Sequence, residues 1–141
     1  MGDRCYLEVR VRAADLPKFF KATELDEDFV WDKEKAISVI VDEEANYAMC
    51  DELQRANEQK IDFIGWHSEG GDYPAMNFVC IDGTLNYVRI CAGDIVVSVH
   101  ANGKANAEDL KNVREYRRLA CKWHRRVNKA NKARVPVVPA E

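Results

Sequence analysis

Four short apolar runs, residues 61–67, 76–82, 85–91 and 95–101, follow one another along the chain, and nothing else in it restricts the fold as much. Each is rich in Val, Ile, Phe or Tyr, residues that suit a pleated, half-buried surface. The gaps carry turn chemistry. Asp82-Gly83 is a favoured two-residue hairpin pair because both positions must tolerate positive φ, and Gly93-Asp94 and Asn102-Gly103 are further turn signals. Together they predict an antiparallel meander of four strands.

A long helix is expected to follow. Asn106 can cap it, with Glu108 and Asp109 set favourably against its dipole. Val113, Tyr116, Ala120, Trp123, Val127 and Ala130 recur at alternating intervals of 3 and 4, forming one apolar seam, while Lys111, Arg118, Lys122, Arg125, Arg126 and Lys129 lie away from it. The seam should rest across the sheet. Pro136 and Pro139 make residues 132–141 an extended or disordered tail beyond a single domain of residues 1–131.

Ahead of the meander, residues 4–12 alternate Cys5, Leu7, Val9 and Val11 against Tyr6, Glu8, Arg10 and Arg12, the period of a strand with one buried face. Asp15 precedes Leu16-Pro17 and should cap a short helix through Lys21, with Phe19 and Phe20 on its apolar side. The acidic residues 24–28 read as a loop, and residues 36–41 as a strand covered on both faces. Between residues 43 and 59, Ala45, Ala48, Met49, Leu53 and Ala56 recur at helical spacing behind an acidic first turn. The order is strand, helix, strand, helix, four meander strands and a long helix. This is an α+β fold, a mainly antiparallel sheet packed by a C-terminal amphipathic helix.

At 141 residues, with 47% hydrophobic and 32% charged side chains, the composition is that of one globular domain and excludes a disordered or fibrous chain. No apolar run approaches the roughly 20 residues needed to cross a bilayer, and Met1-Gly2-Asp3-Arg4-Cys5 lacks the apolar core of a secretory signal. Tyr6 stands where a myristoylation motif requires Ser or Thr. The cysteines, Cys5, Cys50, Cys80, Cys91 and Cys121, are scattered and include no Cys-x-x-Cys pair. Cys80 and Cys91 fall in apolar runs, where a free thiol behaves as a small buried hydrophobe, so a reducing, cytoplasmic setting is expected.

Charge divides unevenly along the chain. Residues 1–104 carry 20 acidic and 11 basic side chains, net −9, and residues 105–141 carry 4 and 10, net +6. Either the basic helix docks on its own acidic body, the favoured expectation, or it meets a phosphate-bearing or acidic partner. Arg118, Lys122, Arg125, Arg126 and Lys129 would form the nucleic-acid face, although Trp123 on the apolar seam suits a core better than a base stack.

Chemistry concentrates in one segment, Gly65-Trp66-His67-Ser68-Glu69-Gly70-Gly71-Asp72-Tyr73-Pro74, which joins two strands. A loop of this kind on a rigid sheet suits binding, and Trp66, His67, Glu69, Asp72 and Tyr73 are its candidates for contacting a partner. His67 and Glu69 could act as a proton-transfer pair, joined by His100 if the strands carrying the two histidines are neighbours. The plainer alternative makes His67 a surface or hydrogen-bonded histidine and Gly70-Gly71 turn residues. Gly70-Gly71 lacks the further Gly, Lys and Ser or Thr of a phosphate cradle, and no histidine has a short metal-ligand spacing. No catalytic residue, metal or cofactor is assigned.

The opening Met1-Gly2-Asp3-Arg4-Cys5-Tyr6, with Gly65-Trp66-His67 and Gly70-Gly71-Asp72-Tyr73, resembles small uncharacterised proteins of bacteriophages and other bacterial mobile elements, in these short patches only. The resemblance implies a compact accessory protein that binds a host or phage macromolecule, with anti-defence proteins such as anti-CRISPR inhibitors as one class. The expectation is a non-enzymatic interaction protein with a protein partner and no membrane association, a monomer or small homo-oligomer. A nucleic-acid-binding module using the C-terminal helix, or a small enzyme using His67, Glu69 and His100, are the alternatives.

Overall fold

The computed structural model describes residues 4–34 and 36–134. The first strand, β1 (Arg4–Arg12), turns Cys5, Leu7, Val9 and Val11 to one side and keeps strict alternation throughout. It lies in the middle of a seven-stranded sheet, between β3 (Ile37–Asn46) and β4 (Phe63–His67). With β2 (Val30–Glu34), β5 (Met76–Ile81), β6 (Thr84–Cys91) and β7 (Asp94–Ile95), the order is β2-β3-β1-β4-β5-β6-β7, and every neighbouring pair is antiparallel.

Alternation divides the apolar residues between two cores. On one face Leu7, Val9, Val11, Phe63 and Phe78 pack under α1 (Leu16–Thr23) and α2 (Cys50–Glu58), which contribute Phe19, Leu53 and Ala56. On the other, Val79, Ile81 and Val88 meet Tyr116, Leu119, Trp123 and Val127 of α3 (Ala107–Arg134). The result is an α+β sandwich of helix, sheet and helix, with the long C-terminal helix laid on the sheet as its seam predicts. Among the described residues no helix is long and apolar enough to cross a membrane.

Electrostatics latch α3 to the body. Asp62 is buried at the start of β4 and accepts from Arg126 at 2.6 Å, Arg12 at 3.1 Å and the backbone N–H of Asp82 at 3.1 Å. Arg126 also pairs with the Asp82 carboxylate at 2.8 Å. Part of the basic helix therefore docks on the acidic body.

The structure departs from the sequence expectations at several elements. Acidic residues 24–28 end in a 3-10 turn, Glu27–Phe29, that leads into an unforeseen edge strand, β2. Only Val30 of β2 packs against the core, Trp31 is 75% exposed, and the rest is charged, as edge strands that resist further pairing tend to be. The helix expected over residues 43–59 begins only at Cys50, because β3 continues to Asn46. Ala45, Ala48 and Met49 are buried all the same, from a strand end and a turn. The fourth meander strand shrinks to Asp94–Ile95, and the loop beyond it is held by the Val99–Ala105 bridge and by Ser98 N–H donating to Asp109 at 2.7 Å. Asp15 pairs with Arg12 at 3.1 Å instead of capping α1, which runs to Thr23. Cys80 is buried, but Cys91, at the end of β6 beside two-residue β7, is exposed. Helix α3 is described through Arg134, and the rest of the expected tail lies outside the described residues.

Candidate functional site

A cavity of about 720 Å³ opens between the start of α2 and the α1/α2 face of the sheet. Strand β4 places His67 there, because Phe63, Gly65 and His67 alternate onto the side shared with Leu7, Val9 and Val11. The loop after β4 turns back through Gly70 N–H donating to the Tyr73 carbonyl at 3.0 Å, and this sets the Tyr73 ring edge-on to His67 at 5.5 Å. Phe78 stacks on the imidazole from β5 at 6.3 Å, and Tyr87 approaches from β6 at 6.4 Å.

His67 is 2% exposed. Its Nδ1 lies 2.8 Å from the Ser68 carbonyl oxygen, which can only accept, so Nδ1 donates and a neutral ring presents Nε2 as an acceptor. Burial lowers the His67 pKa from its ordinary value, with the Ser68 hydrogen bond opposing in part. A histidine whose folded pKa is depressed contributes stability that is present above its unfolded pKa, about 6.5, and lost as the pH falls below it. Chemical denaturation between pH 7.5 and pH 5 should therefore show stability declining with acid in the wild type, and a shallower decline in His67→Gln. Identical slopes would contradict a buried neutral imidazole.

Tyr47 and Ala48 line the cavity and, with Met49 after them, form three successive non-glycine residues at φ 51°, 53° and 54°. This left-handed region costs L-residues roughly 1–2 kcal/mol each, and such strain gathers at ligand clamps and switches. Ala48 and Met49 are buried, so packing holds the segment in place, while Tyr47 stands 57% exposed at the rim.

Tyr87 forms the inner wall. Its hydroxyl is sealed from solvent with no hydrogen bond of good geometry among the described residues, and the Cys50 thiol stands beside it. Burial raises the pKa of both groups, and the Asp51 charge raises that of Cys50 further. Cys80 beneath is pushed up to about 12 by burial. These thiols are protonated at neutral pH and poor nucleophiles.

Of the loop candidates, His67 and Tyr73 line this cavity together. Trp66 points to the opposite face, where it packs on Tyr6 at 5.2 Å over a shallower cleft shared with Glu8, Arg10 and His124. Glu69 and Asp72 are exposed on the loop and line neither space. His100 is exposed in the loop leading to α3. Among the described residues no three His, Cys, Asp or Glu side chains group as a metal site.

On α3, Arg118 is bound to Glu115 at 3.0 Å and Arg126 to Asp62 and Asp82, while Arg125 and Lys129 remain exposed and Lys122 half-buried. Trp123 is 1% exposed. Sequence reasoning passed over Tyr47, Cys50, Asp51, Glu52 and Tyr87, which come together only through the fold. The one local signal was Tyr47, an aromatic residue off the apolar spacing of the expected helix. No protein-family model, curated protein or solved structure matches this chain.

Proposed function

We propose that this chain is a non-catalytic binding protein whose recognition site is the cavity between α2 and the sheet. The observation that carries this is the cavity itself: about 720 Å³, walled mainly by aromatic and apolar side chains, within the size range of sites for small molecules. A strained backbone segment at its mouth is a cost that a folding role alone does not explain. Against nucleophilic catalysis stands the Cys50 thiol, whose pKa burial and the Asp51 charge raise, which makes it a poor nucleophile. This keeps the non-enzymatic role expected from the sequence, replaces the expected macromolecular partner with a small molecule, and moves the centre from the whole loop of residues 65–74 to His67 and Tyr73 within the cavity.

Protein-observed NMR with a library of small aromatic fragments tests it. Hits should perturb the amides of Tyr47, Ala48, Cys50, His67, Tyr73 and Met76 as one group. Shifts scattered over the surface, or none at millimolar fragment, would remove the proposal.

A further inference from the structure

We propose that the cavity takes a small organic cation, an ammonium or quaternary ammonium group carried on an apolar body. This rests on the cavity being the recognition site and adds the chemistry of its ligand. Aromatic side chains and negative charge meet there: Tyr73, Tyr87, His67 and Tyr47 line the cavity together with Asp51 and Glu52. Among the described residues no Lys or Arg lines it. A cation is attracted to the negative face of an aromatic ring, more strongly once desolvated, and several faces around one charge are how quaternary ammonium groups are held.

The competing charges do not cancel this preference. Asp51 and Glu52 lie in the first turn of α2, whose N-terminus carries roughly half a positive charge, against two full negative charges. Among the described residues His67 is the one lining group able to become cationic and repel the ligand. Its burial among Tyr73, Phe78 and Tyr87 disfavours the charged ring, the Nδ1 hydrogen bond to Ser68 opposing only in part. An anion would meet two carboxylates and the negative faces of the tyrosine rings. A neutral apolar ligand would fill the same space without using either.

The test compares phenyltrimethylammonium with its uncharged isostere tert-butylbenzene, titrated into the full chain by NMR or calorimetry. The cation should bind at least ~10-fold more tightly, a preference worth about 1.4 kcal/mol, and the ratio should shrink as salt is raised. In the Asp51→Asn, Glu52→Gln double variant the preference should fall to about threefold or less while tert-butylbenzene binds as before. Both positions lie in the first turn of α2, Asp51 exposed and Glu52 half-buried, and binding of the neutral probe reports whether the cavity is intact; Asp51→Asn alone provides the same comparison with a smaller change. Equal affinities for the two probes in the wild type, or a preference undiminished in the folded variants, would overturn the cation assignment and leave the cavity as a receptor for neutral ligands. Failure of both probes to bind would overturn the receptor proposal and the cation assignment together.

Discussion

Gly65→Ala is expected to lower folding stability by about 3 kcal/mol, a fall of roughly 10 °C in Tm, at the upper end of what overpacking costs. Gly65 sits in central β4, paired with Val9 on β1 and Phe78 on β5. The Phe78 ring packs between Phe63 and His67 and passes over Gly65, where a side chain would otherwise stand. A Cβ built there would overlap the Glu8 carbonyl oxygen and come within 2.7 Å of Phe78 Cζ. The ring could swing aside, but the carbonyl belongs to β1, an interior strand paired on both sides, and yields only if β1 moves. Alanine's advantage over glycine in the unfolded chain, about 0.4–1 kcal/mol, is too small to compensate. Gly93 supplies the control: it has φ +86° with nothing within 4 Å of an added Cβ, so Gly93→Ala should lose only about 1–2 kcal/mol of backbone strain. Urea denaturation of both variants makes the comparison. A Gly65→Ala loss no larger than that of Gly93→Ala would mean that β1 and β4 do not approach in this register.

What could be read in advance follows from how local each signal is. Strand β1 shows itself because Leu7, Val9 and Val11 alternate without interruption, and α3 because Tyr116, Trp123 and Val127 return to one face over many turns. Leu119 falls outside the seam read from spacing yet is 2% exposed, since a helix against a flat sheet buries a broader stripe than one line of side chains. Strand β2 was hidden because an edge strand needs few apolar contacts, and Asp32, Lys33 and Glu34 look like loop. The start of α2 was misplaced because Asp42, Glu43 and Glu44 imitate an acidic first turn, and three left-handed residues without a glycine carry no sequence signature. The cavity was out of reach for a related reason. His67 and Tyr73 belong to a segment that could be singled out, but Tyr47 and Tyr87 reach it from elements twenty residues away on either side or nearly so, and only strand order makes them neighbours.

Trp123→Ala should destabilise the protein by about 3–5 kcal/mol, the usual loss when a fully buried large aromatic is truncated. Trp123 is the largest side chain in the core between α3 and the sheet, and among the described residues α3 is the only helix on that face. The competing anchor is the Arg126 latch. Arg126 is about one-third exposed, and its partner Asp62 keeps Arg12 and the Asp82 amide when Arg126 is removed, so Arg126→Ala should cost only about 1–2 kcal/mol. Packing therefore outweighs the ion pairs in holding α3. Because the α1/α2 core lies on the other side of the sheet, the Trp123 variant should lose amide protection first in α3, with β1 protected longest. Hydrogen exchange and denaturant unfolding read both effects. A loss below about 1 kcal/mol for Trp123→Ala would show that the seam is not bound to the sheet in solution and is free to engage another molecule, returning the basic helix to consideration as a binding surface.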